Sequence, residues 1–145
     1  MTEESTMTFT IPTAEFVEQA LREVEWGDRL IGYMMTPTTG NKTRDMYSLP
    51  EAVQFLFGTK WDAPLLQAGY KGGINWVDVQ QLVDWLRDVI GDVELADAVD
   101  RDVLGLGVYR EQSMALLELF TERMNQYRAV RDAAAAAQAE AEPSE

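Results

Sequence analysis

Gly73-Ile74-Asn75-Trp76-Val77-Asp78-Val79, with the run from Gln80 to Ile90 that follows, carries the most complete set of helix signals in the chain. Asn75 suits an N-cap, because its short side-chain oxygen can accept from the free amides of a first helical turn. Asp78, three residues on, would favour the positive helix end. Ile74 and Val79 have the spacing of a hydrophobic staple across that cap. Trp76, Val79, Leu82, Val83, Leu86, Val89 and Ile90 then fall on one face at about 100° per residue. Gly91 supplies a left-handed stop. Trp85 lies just outside the stripe, where it either covers the core edge or stands out as an anchor for a partner.

Working outward, the same signals predict further helices. Thr13 can cap a helix after Pro12, and Phe16, Val17, Ala20, Leu21, Val24, Leu30, Ile31 and Met34 recur at near-helical spacing. Gly27 would kink or split that helix. Thr36 to Arg44 reads as a loop carrying Lys42 and Arg44, a local positive spot. It shares Lys-Thr with a phosphate-binding loop but lacks the glycine directly before the lysine. Ser48-Leu49-Pro50-Glu51 reads as a helix start, and Gly58 as its end. Lys60 to Ala68 suggests a second short helix, followed by a glycine-rich turn in which Lys71 could face an anion. Asp92 can cap a helix from Val93 to about Val103. A long helix is expected from about Tyr109 to beyond Arg131, with Met114, Leu117, Phe120, Met124 and Tyr127 as its stripe.

These elements predict an all-α fold: one compact domain of five to seven helices with a long C-terminal helix. Residues 1–10 are expected to form a flexible arm and residues 11–128 the domain. Residues 129–145 would form an Ala/Glu-rich extension with little to bury.

Composition narrows the function. The chain of 145 residues has no Cys and no His. Thiol nucleophiles, disulfides, imidazole acid–base chemistry and the usual transition-metal ligand sets are therefore missing. Twenty-five acidic against 12 basic residues give a net charge of −13, which disfavours direct contact with nucleic-acid phosphates or anionic membranes. No apolar run reaches the length of a membrane span, and the cytoplasm is the default setting.

Carboxylate pairs are the only catalytic material in quantity. Glu15 with Glu18, and Glu94 with Asp97, have i, i+3 spacing and could together hold Mg²⁺ for phosphate-ester hydrolysis if they converged. The reading preferred here is a non-enzymatic interaction, regulatory or accessory protein. It would need no cofactor and would bind another protein or a second copy of itself through Trp85, Met124, Tyr127 and Arg131. A second class is an acidic nucleic-acid mimic that inhibits a basic protein. The Mg²⁺-dependent hydrolase is a third.

Overall fold

The computed structural model describes residues 9–36, 40–58 and 74–141. In chain order these form α1 (Ala14–Ala20), a 3₁₀ turn (Trp26–Asp28), β1 (Leu30–Thr36), β2 (Gly40–Met46), α2 (Leu49–Phe57), β3 (Ile74–Trp76), α3 (Val79–Trp85), α4 (Val93–Asp102) and α5 (Tyr109–Ala141). The fold is mixed α/β. An antiparallel sheet of order β2-β1-β3 overturns the all-α expectation, and α5 is its long C-terminal helix.

The first departure from the helical expectation lies in residues 74–76. Ile74-Asn75-Trp76 is a strand, paired antiparallel with β1 through Met35↔Ile74, Met34↔Asn75 and Tyr33↔Trp76. The helix starts later, and Asp78 is its cap: its Oδ1 accepts from the amides of Gln80 at 3.0 Å and Gln81 at 3.3 Å. Asp caps a helix about as well as Asn, so two cap positions competed. The Asn75 amide donates instead to the Phe55 carbonyl at 2.8 Å, tying β3 to α2. Lateral pairing, invisible to helical periodicity, decided the choice.

The first predicted helix also divides. Only Ala14–Ala20 is α-helical, with Thr13 Oγ1 accepting from the Phe16 amide at 3.1 Å. Leu30 to Thr36, counted into a helical stripe, is strand β1. Its hairpin partner β2 spans residues read as loop, running from Thr36↔Gly40 to Leu30↔Met46. Gly40 has φ +79°, which a residue with a side chain rarely adopts. Gly32 shows why β1 packs so closely on α2: a Cβ there would lie 2.5 Å from Phe55 Cε2. The expected helix from Lys60 to Ala68, and Lys71, lie outside the described residues.

Apart from Asn75, the caps read from local sequence are found where expected. Ser48 Oγ accepts from the Glu51 amide at 3.3 Å, while Glu51 reaches back to the Tyr47 amide. After α3 the helix widens into a π-helical turn (Leu86–Ile90) and stops at Gly91, whose φ is +88°. The amides of Gly91 and Asp92 both donate to the Leu86 carbonyl at 2.9 Å. That stop turns Asp92 inward, where it caps α4 through the Leu95 amide at 3.2 Å.

Helix α5 crosses the molecule against α1, α2 and α4. Leu116, Phe120 and Tyr127 are its buried stripe, meeting Val17, Leu56, Leu86, Ile90, Leu95 and Val99 in one core. Beyond Val130 the helix continues to Ala141 with almost every described side chain exposed. At its other end, the Tyr109 hydroxyl donates to the Asn75 carbonyl at 2.9 Å and accepts from the Val77 amide at 3.3 Å. Burial pushes the Tyr109 phenol up to about 12, against the opposing pull of the Val77 amide.

Candidate partner-binding surface

The polar centre of the molecule is built on α5. Arg123 occupies the apolar stripe between Phe120 and Tyr127, and its side chain is 3% exposed. Its Nε donates to Asp92 Oδ2 at 2.8 Å, and its Nη2 to Asp92 Oδ1 at 3.1 Å. The Tyr127 hydroxyl donates to the same Oδ2. Arg123 Nη1 donates to the Thr10 carbonyl and to Gln126 Oε1, each at 2.9 Å. Gln126 Nε2 donates to the Phe9 carbonyl at 3.0 Å. Glu94 completes the ring, accepting from the Thr10 amide at 2.9 Å and the Thr10 hydroxyl at 2.8 Å. The rings of Phe9, Tyr127 and Phe16 surround the guanidinium with centroids 5.1, 5.1 and 5.8 Å away.

The electrostatics follow from this enclosure. Burial opposes the charge on Arg123, but the hydrogen bonds and charge of Asp92 outweigh it and hold the guanidinium charged above its ordinary range. Burial, then the negative charge of Asp92, pushes the Tyr127 phenol well up, so it stays a neutral donor. Arg123 and Asp92 neutralise each other, and Tyr127 is neither base nor nucleophile. The cluster has the chemistry of a structural clasp. It holds residues 9–10 against α4 and α5.

A different kind of surface lies between α2 and α5. Val53, Phe57, Phe120 and Met124 line a groove of about 340 Å³, rimmed by Gln54, Asn125 and Arg128. Phe120 is fully buried beneath it, while Phe57 is 44% exposed. Arg128 Nη1 donates to Asn125 Oδ1 at 3.0 Å, holding part of the rim in place. An apolar centre with a polar rim is the usual build of a protein contact.

The four residues chosen from sequence for partner binding do not lie together. Met124 lines the groove. Trp85 is buried, and its indole donates to the Asp28 carbonyl at 2.7 Å, so it is a core residue and no surface anchor. Tyr127 belongs to the clasp. Arg131 is exposed and paired with Glu18 at 3.1 Å, which draws the Glu18 carboxyl below its ordinary range. Lys42 and Arg44 are exposed on β2. Arg44 borders a small cleft shared with Asp45 and Glu51, whose charges oppose anion binding there.

The four carboxylates proposed for Mg²⁺ are drawn apart. Glu18 pairs with Arg131, Glu94 bonds Thr10, Asp97 pairs with Arg87 at 2.6 Å, and Glu15 is exposed on α1. Among the described residues no three acidic side chains are grouped to hold a metal ion. Sequence reasoning missed Arg123 and Gln126. Arg123 did leave a signal, a charge at helical spacing inside the stripe Leu116, Phe120, Tyr127.

Comparison with protein-family models, with curated proteins and with solved structures gives no match. Among the described residues no helix is long and apolar enough to cross a membrane.

Proposed function

We propose that this chain is a non-enzymatic accessory or regulatory protein that binds another protein through the α2–α5 groove. The observation that carries the reading is Phe57, a large aromatic left 44% exposed over an otherwise apolar floor. Such anchors dominate binding energy where a partner excludes water around them. The groove follows a helix axis and suits an amphipathic helix or extended apolar segment. A stable contact buries roughly 1,200–2,000 Å² in total, more than this groove offers, so the partner also follows α5. That helix has 33 residues and a length of ~50 Å. The proposal places the protein in the cytoplasm.

The net charge of −13 favours a second reading, a mimic of nucleic acid that occupies a basic protein groove. One experiment separates the two. The chain is immobilised, exposed to cytoplasmic extract of its source cells at low and high salt, and the retained proteins are identified by mass spectrometry. A stoichiometric protein that survives high salt supports the apolar contact. A basic protein released by salt supports the mimic. Capture undiminished by truncation after Arg128 removes the end of α5 from the contact.

A further inference from the structure

Residues Phe9 to Thr13 form a strap that is bound as a ligand would be. Phe9 is buried, its ring within cation–π range of Arg123. The main chain of the strap is read by side chains from elsewhere: the Phe9 carbonyl by Gln126, the Thr10 carbonyl by Arg123, and the Thr10 amide by Glu94. Glu94 also accepts from the Thr10 hydroxyl, which selects a hydroxyl-bearing residue beside the aromatic one. These readers stand on α4 and α5, not on α1, the helix into which the strap leads. The link between strap and α1 is lightly held. Ile11 is 70% exposed, and Pro12 has no amide hydrogen to lose. The strap itself lies in no strand or helix.

We infer that the cradle of Glu94, Arg123, Gln126 and the surrounding aromatic rings is a recognition site for a Phe-Thr segment, filled here by the chain's own strap. The strap exchanges between two copies by opening at Ile11 and Pro12. The occupant is a second copy because its residues 9–10 satisfy every contact just described. Closed monomer and exchanged dimer then share the same cradle contacts and differ mainly at the hinge. Under these conditions exchange is an inexpensive route to a dimer. This inference does not depend on the α2–α5 groove.

The absence of cysteine makes the test clean. Full-length Thr10→Cys and Glu94→Cys proteins are mixed at high concentration and oxidised, and the disulfides are mapped by mass spectrometry. The exchanged dimer predicts a 10–94 link between chains, about tenfold more abundant than 10–10 links, because bound cysteines meet at high effective concentration. A second measurement covers the case in which those side chains are ill-placed for a disulfide. A labelled peptide of residues 6–13 is titrated into the full-length Phe9→Ala protein. It should bind about a hundredfold more tightly than to the unaltered chain, where the tethered strap competes at roughly millimolar effective concentration. Peptide binding without a 10–94 link between chains, by a chain that sediments as a monomer at the same high concentration, would assign the cradle to another protein's segment and overturn the exchange. Neither signal, with a folded Phe9→Ala protein, would overturn the recognition site itself.

Discussion

Arg123 and Arg131 stand about two turns apart on α5, and each grips a carboxylate from another part of the chain. The Arg123–Asp92 pair is buried, with side chains 3% and 1% exposed. The Arg131–Glu18 pair is 50% and 63% exposed. Water and salt compete for both of its partners. The same chemistry therefore does two jobs along one helix. In the first part of α5 it fixes how α4, α5 and residues 9–10 meet. In the last part it decorates a helix that has left the core.

Replacing Arg123 with Met strains this contrast most. Asp92 would be left buried with only the Leu95 amide and the Tyr127 hydroxyl, and the loss expected in denaturant titration is about 3–5 kcal/mol. The double variant Arg123→Met/Asp92→Asn should recover part of that loss, because no charge is then buried alone. A double variant no better than the single one would mean that the pair acts through shape and not charge. Next in size, Tyr127→Phe removes one donor from Asp92 and should cost about 1–3 kcal/mol in the same titration.

Alkaline pH should sharpen the picture at the other end of α5. The Tyr109 phenol is raised to about 12 in the folded chain. Below about pH 10, the ordinary phenol value, both folded and unfolded forms are neutral and stability is flat. Above it the unfolded chain ionises first, so stability falls by about 1.4 kcal/mol per pH unit until the folded phenol also ionises. Tyr109→Phe should flatten that fall without abolishing it, since Tyr127 is raised too. Smallest of all, Arg131→Ala should leave the unfolding midpoint unchanged at physiological salt. A clear drop would show that the exposed pair anchors α1 to α5 after all.

Local signals carried the parts of the fold that are locally determined. Thr13, Ser48 and Asp92 cap helices through bonds within their own first turn, and Gly91 stops one through its own φ, so neighbouring residues sufficed to find them. The sheet was illegible for the opposite reason. β2 is an edge strand of mostly polar, exposed residues, and only its pairing with Leu30–Thr36 makes it a strand. β3 has three residues, too few for a period to show, and Asn75 offered a false cap beside the real one at Asp78. Of the surface, Met124 is legible as a soft residue on α5, while Phe57 is one of several large apolar residues on α2 and nothing local marks it as the exposed one. For Trp85 and Tyr127 the sequence left core and interface both open, because an aromatic with a polar atom suits a core that supplies an acceptor as well as it suits an interface; both are buried.

The measurement that tests the division of α5 most directly is parallel capture from cytoplasmic extract by three immobilised proteins: the unaltered chain, Phe57→Ser/Met124→Ser, and Tyr127→Phe. Unfolding midpoints are recorded beside them. The division predicts that the groove variant loses the captured protein with its midpoint little changed, while Tyr127→Phe melts lower yet captures as much as the unaltered chain. Full capture by the groove variant would remove the groove from the contact, and loss of capture by folded Tyr127→Phe would bring the clasp into it; either result contradicts the division.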